Sequence, residues 1–301
     1  MKIYIIGSSG RLGSEVFKLI PEAIPITRST KGLENEIVCD FSEASLKEIL
    51  KDAECILHLA GSVDMENKKE LWNTNFELTK RIVDSSPKRC RIVYASSISV
   101  YGKKPKTKPI TEETVVNPDS EYSRTKFLSE EYIRKNRPNH VILRIGTLYG
   151  PKFADYFAVI KRIKEGKMQI VGKGDNVLPF VHVEDVSKAI VNSVRSEAGT
   201  YNIAGENGSQ NQIYQIVARE MNVAAPKRKI PKFAAIAAYK VTKLLGKKTS
   251  IKEEHIQILA SDRPFDCKKA KKELKFNPRA IEKGVIEMCQ LYKKHETQGD
   301  L

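Results

Sequence analysis

The chain has 301 residues, 41% hydrophobic and 30% charged, the balance of a folded globular protein of one large domain or one and a half, which excludes wholesale disorder. Its net charge of +15 is uneven: from Glu206 onward there are 20 Lys and Arg against 11 Asp and Glu, a surplus that attracts anionic ligands or clothes a solvated face. The basic residues are not interleaved with aromatics, which argues against nucleic acid as a partner, and no stretch reaches the roughly 18 apolar residues of a membrane span.

The opening MKIYIIGSSG has one Lys and a short apolar run that Gly7 and two serines interrupt, so a cytoplasmic protein is expected rather than a secreted one. Lys2–Ile6 predicts a first strand. It runs into Gly7-Ser8-Ser9-Gly10-Arg11-Leu12-Gly13, a G-x-x-G-x-x-G loop opening a helix over Arg11–Leu19. Glycines let backbone approach a pyrophosphate, and a helix N-terminus offers unpaired N–H groups and the positive end of its dipole. A second strand, Ile24–Thr27, ends at Arg28, with no carboxylate before Glu34. An acidic residue there would bond a ribose 2′-hydroxyl and an arginine a 2′-phosphate, so Arg28, with Arg11 in support, favours NADP over NAD.

Further on, a helix over Glu43–Lys51, a strand Cys55–Leu59, a helix Trp72–Asp84, a strand Arg91–Ala95, a helix Tyr122–Lys135, a strand Val141–Arg144 and a helix Phe153–Glu165 follow one another. The strand Phe180–His182 then leads into a helix over Val183–Val194. The strands are short, apolar and unalternating, as strands buried on both faces are, and the right-handed crossover rule leaves an α/β, doubly wound parallel-sheet Rossmann fold. Residues 1–150 and 170–204 are assigned to the dinucleotide-binding domain. Residues 151–169 and 205–301 are assigned to a smaller mixed C-terminal substrate lobe, with helices at Gln212–Glu220 and Phe233–Leu245. The second of these, with Lys240, Lys243, Lys247 and Lys248, has the pattern of a basic helix lying on a membrane, but its apolar face is Ala-rich and packing against the main domain is the preferred reading.

Five cysteines, Cys39, Cys55, Cys90, Cys267 and Cys289, form no C-x-x-C pair and have no His at ligand spacing. They are read as reduced and mostly buried, with no metal site. His182, in an apolar strand context, is read as a structural histidine. Tyr149, Phe153, Tyr156, Phe157 and Phe180 are read as lobe packing.

Tyr122 and Lys126 stand at i and i+4 on the same helix face, 25 residues after Ser97 in Ser-Ser-x-x-Val-Tyr-Gly. Together with the glycine loop, Cys39-Asp40-Phe41, His58-Leu59-Ala60-Gly61, Asn75, Leu143-Arg144 through Tyr149-Gly150-Pro151, Phe180 to Val186 and Tyr201 to Gly205, this order resembles the extended short-chain dehydrogenase/reductase family of nucleotide-sugar epimerases, dehydratases and reductases. The resemblance implies that Tyr122 is the general acid/base, that Lys126 lowers its pKa and bonds the nicotinamide ribose, and that Ser97 holds the substrate oxygen. It also implies that Asp40 and Phe41 flank the adenine, that Leu59, Ala60 and Gly61 line the cofactor, that Ile145 approaches the nicotinamide, and that the protein is a homodimer. Phe41 and Leu59 have a core reading as well, and Asn75 a reading as a helix cap.

Two expected diphosphate contacts are missing. Thr147 stands where family members carry an Asn, and Asn176-Val177-Leu178-Pro179 where they carry an Arg. Arg263 lies near the position of another phosphate-binding Arg. A nucleotide-activated sugar is the first expectation, handled by epimerisation or dehydration. A net ketone reductase or alcohol dehydrogenase of less polar substrates, like dihydroflavonol reductases or hydroxysteroid dehydrogenases, is the second. An idle dinucleotide-binding protein is the third, against which the intact Ser97, Tyr122 and Lys126 stand.

Overall fold

A computed structural model describes residues 1–245 and 253–299. The chain lays down β1 (Ile3–Ile6), α1 (Arg11–Leu19), β2 (Ile24–Thr27), β3 (Ile37–Val38), α2 (Glu43–Leu50), β4 (Cys55–His58), α3 (Lys68–Trp72), α4 (Leu78–Ser85), β5 (Arg91–Ser97), α5 (Glu121–Asn136) and β6 (His140–Ile145). Next come β7 (Thr147–Tyr149), α6 (Phe157–Lys164), β8 (Ile170–Val171), β9 (Val177–Leu178), β10 (Phe180–His182), α7 (Val183–Ser193) and β11 (Gly199–Ile203). The last third holds β12 (Gly208–Ser209), α8 (Gln210–Glu220), β13 (Lys229–Ile230), α9 (Lys232–Leu244), α10 (Glu253–Leu259), α11 (Lys268–Glu273) and α12 (Ile281–Gln298).

Seven strands form one parallel sheet in the order β11-β6-β5-β4-β1-β2-β3. Strand order reverses between β1 and β4, so the crevice for a ligand opens at the carboxyl ends of these strands. Alternate residues of β1 serve opposite faces: Ile3 and Ile5 join a core with Val16 and Ile190, Tyr4 and Ile6 one with Leu46 and Ile82. That double burial is why these strands read as continuous apolar runs.

A third apolar core gathers α6, α8 and α12 around Phe157, Tyr214, Val217, Met288 and Tyr292. Strands β8 and β9 pair with β13 and β12, so residues 170–178 associate with the last third and not with the main sheet. All five cysteines are buried and unpaired. Among the described residues no helix is long and apolar enough to cross a membrane. Lys247 and Lys248 lie outside the described residues.

Candidate active site

The glycine loop is shaped by contacts that only glycine permits. Gly7, with φ of +96°, leaves no room: a Cβ there would stand 2.6 Å from the Ala60 nitrogen. At Gly13 it would stand 1.9 Å from the Gly7 carbonyl oxygen. The Gly10 N–H donates to that carbonyl at 3.0 Å, and the first helical bond runs from the Ser14 N–H to Gly10 O. The N–H groups of Arg11, Leu12 and Gly13 therefore precede the α1 ladder, and no side chain caps the helix. Such a terminus fits a dinucleotide pyrophosphate, with Ser9 and Gly10 exposed at its rim.

At the carboxyl end of β2 the electrostatics are more acidic than the sequence implies. Arg28 is exposed and lies 3.8 Å from Glu70. Glu36 folds back onto the strand, accepting from the Thr27 hydroxyl at 2.6 Å and from the Lys31 and Gly32 N–H groups. These bonds hold its carboxyl below the usual range, the Thr27 hydroxyl first. Its return across nine residues of loop left no local signal. Arg11 does not support Arg28: it pairs with Asp155 and stacks on Phe153, across the loop. Asp40 is exposed and accepts from the Ser42 N–H, whereas Phe41 is buried with Tyr4 and Leu46, as its core reading supposed.

Beyond β4, Leu59 and Ala60 lie against Gly7, and Gly61 lies beside Asn75. Its side-chain oxygen accepts from the Ser62 N–H at 2.8 Å, while its amide donates to Ser62 O and to the Thr125 hydroxyl. Asn75 is no helix cap. It lies inside one helical run from α3 to α4, in a π-helical turn over Asn73–Glu77, and Asn67 caps that run. The freed Asn75 carbonyl accepts from the Thr79 and Ser129 hydroxyls. A π-turn at such a position is a common mark of a functional site.

Ser97 ends β5, opposite Ile145 in register, and its hydroxyl accepts from the Ser99 N–H at 3.2 Å. Ser120 and Ser123 make a capping box that starts α5, which carries Tyr122 and Lys126 one turn apart over the end of β5. Lys126 is 4% exposed. Its ammonium donates to the Ala95 carbonyl at 2.9 Å and lies 4.9 Å from the Tyr94 ring centre. Burial lowers its pKa to about 8, opposed in part by Glu130. A Cβ on Gly61 would come within 3.0 Å of this ammonium, so Lys126 lies against the loop that follows β4.

Beneath these residues is a buried network absent from the sequence reading. Glu130 accepts from Ser96 at 2.5 Å and from Arg144 at 2.7 Å; the other arm of Arg144 donates to the Tyr101 hydroxyl, which donates to Asn202. It ties α5 to β5, β6 and β11. Its signal in the sequence was Glu130 on the same helix as Lys126 and an Arg within an apolar strand, charges that must be paired if buried.

Thr147 pairs with Phe180 across β7 and β10. Arg263, 5% exposed, sends its backbone N–H to Val177 O. This backbone bond sets residue 263 beside the stretch 176–179. His182 is buried and its Nδ1 caps α7 by accepting from the Glu184 N–H, while Arg279 lies on its other nitrogen. Burial and Arg279 lower its pKa, in keeping with a structural role. Tyr149 and Tyr156 both pack edge-on against Phe180 in the lobe.

A glycine loop after the first strand of a parallel sheet, with a Ser, Tyr and Lys set at the carboxyl ends of β5 and on α5, defines an enzyme of the extended short-chain dehydrogenase/reductase type. The chain belongs to the NAD dependent epimerase/dehydratase family, whose model matches residues 3–204. A Methanocaldococcus jannaschii protein assigned as a UDP-glucose 4-epimerase is 30% identical over 251 residues, 73% of this chain and 82% of that one. The uncharacterized protein y4nG of Sinorhizobium fredii is 29% identical over 247 residues, 78% of this chain and 62% of its own length. Among solved structures, the UDP-glucuronic acid 4-epimerase of Bacillus cereus in complex with NAD superposes with a TM-score of 0.75 at 19% identity, covering 98% of this chain and 99% of that one.

Proposed function

We propose that this protein is an epimerase or dehydratase of a nucleotide-activated sugar, acting at a carbinol carbon through Ser97, Tyr122 and Lys126. The observation that carries the reading is the position of Lys126, buried under the cofactor-lining Gly61 and one helical turn from Tyr122. A bound nicotinamide dinucleotide supplies the acceptor and donor of the hydride. Gly7, Ser9, Gly10, Arg11, Leu12 and Gly13 hold its pyrophosphate, Asp40 its adenosine end, and Leu59 to Gly61, Asn75 and Ile145 its nicotinamide half.

Tyr122 removes the proton of the substrate hydroxyl and later returns it. The Lys126 ammonium stabilises the phenolate electrostatically and by position. The Ser97 hydroxyl donates to the substrate oxygen as charge develops there. Arg263 is assigned to the nucleotide diphosphate and Thr147 to the substrate beside it, and the lobe built by residues 151–178 and 205–301 covers the sugar. The 4-epimerase assignment of the Methanocaldococcus relative supports a nucleotide hexose.

The cofactor follows from β2. Glu70 beside Arg28, with Glu36 folded onto the end of β2, disfavours a 2′-phosphate, so NAD(H) is the cofactor of this reading, and Arg28 sets how much NADP(H) is tolerated. Titration with the two reduced forms checks it: NADH binds more tightly, and Glu70→Gln narrows the gap. Tighter NADPH binding in the unaltered protein would reverse the assignment.

The substrate test is incubation with UDP- and dTDP-hexoses, following products by NMR and the reduced nicotinamide by absorbance. Isomerisation or water loss without net cofactor consumption supports the reading, and Arg263→Ala raises KM for the sugar nucleotide. Stoichiometric NADPH loss with a ketone would instead establish the net reductase that Thr147 and Val177-Leu178 favour.

A further inference from the structure

Helix α9 turns Phe233, Val241 and Leu244 outward. Its buried residue, Ala235, and its half-buried Ile236 and Tyr239 belong to a small apolar core with Val171 and Ile256. The opposite side presents Phe233 at 76% exposure, Val241 at 55% and Leu244 at 87%, with Leu245 at 65% just past the last turn. Positions 233, 237, 241 and 244 lie in one stripe of a helix. Exposed Lys240 borders it on one side, with exposed Lys243 beyond, whereas Lys232 stands on the side of Ala235, Ile236 and Tyr239. In the sequence from Met221 to Leu245 there are six Lys and Arg and no Asp or Glu.

Contiguous exposed apolar surface of this kind marks an interaction face, and the charge around it selects the partner. We propose that α9 docks on an anionic lipid surface, with the Phe233, Val241 and Leu244 stripe entering the interface and the flanking lysines meeting acidic headgroups. A second copy of the chain fits less well. A twofold contact through this face would set the basic segment against itself, with no carboxylate in the segment to neutralise it. Nucleic acid is disfavoured because the face is mostly aliphatic and offers one exposed ring.

The far end of α9 meets the loop that follows β4. Lys243 lies 3.6 Å from Glu66, five residues along the chain from Gly61. A docked chain would hold that loop toward the lipid. This inference rests on surface geometry and holds whichever carbinol the site processes.

The test is co-sedimentation of the full chain with vesicles of phosphatidylglycerol and phosphatidylcholine, and with phosphatidylcholine alone. Binding to the anionic vesicles is expected, falling steeply with salt. Phe233→Ser with Leu244→Ser should weaken it at least about tenfold, and Lys240→Gln by about fivefold at low salt. Both leave the unfolding midpoint and dinucleotide affinity in place. Absence of binding, equal binding to neutral vesicles, or binding indifferent to both variants would overturn the proposal. So would a dimer in solution that the double serine variant converts to monomer.

Discussion

Lys126 is held at a cost to stability that a single substitution would release. Its pKa falls from 10.5 to about 8 through burial. The unfolded chain therefore binds this proton more readily than the folded one between those values, and stability rises as pH climbs through that window. Below pH 8 the full penalty applies, about 3 kcal/mol for a difference of this size. Lys126→Met removes the charge and keeps the apolar stem, but forfeits the hydrogen bond to the Ala95 carbonyl, worth about 1–2 kcal/mol. The cofactor-free variant should be more stable than the parent at pH 7 by about 1–2 kcal/mol, a gain of a few degrees in Tm for a chain of this size. Urea unfolding at several pH values checks it. The gain should shrink toward pH 10 and change sign once the parent lysine is neutral, while catalytic activity is lost throughout. A variant less stable than the parent at pH 7, or a difference that does not vary between pH 7 and 10, would refute the reasoning.

Gly13→Ala drives a methyl group into the Gly7 carbonyl, a collision with backbone that side-chain movement cannot relieve. The loop has to open, and fluorescence titration should show dinucleotide affinity reduced by about tenfold or more, from about 1–3 kcal/mol of strain. Glu130→Ala leaves Arg144 buried without its carboxylate and should cost about 3–5 kcal/mol in denaturant unfolding; a loss under about 1 kcal/mol would mean that the network is not structural.

The main sheet was legible because its strands are buried on both faces and its helices are amphipathic. Arg11–Leu19 and Ile24–Thr27 fall where the apolar pattern places them. The two-residue β3 gave too short a signal, and β11 begins Gly-Thr before its apolar residues. In the last third, α12 does carry helical spacing, with Ile281, Val285, Met288 and Tyr292 buried, but a sequence pattern does not say which partner buries them. At the candidate site, the glycine loop and the Ser97, Tyr122 and Lys126 set could be located because their order is local to strands and helices. The roles of Glu36, Glu130 and Arg144 depend on contacts between segments remote in the chain or on burial depth, and the direction of Arg11 is set by Asp155, 144 residues away.

The most direct test of the central claim is hydride transfer with and without the phenol. Purified protein loaded with NAD and its sugar-nucleotide substrate should show transient absorbance of the reduced nicotinamide. In Tyr122→Phe that step should slow by about 10²–10⁴-fold with cofactor affinity unchanged. A phenylalanine variant that transfers hydride within about tenfold of the parent, a smaller loss than a general acid/base should bring, would contradict the account.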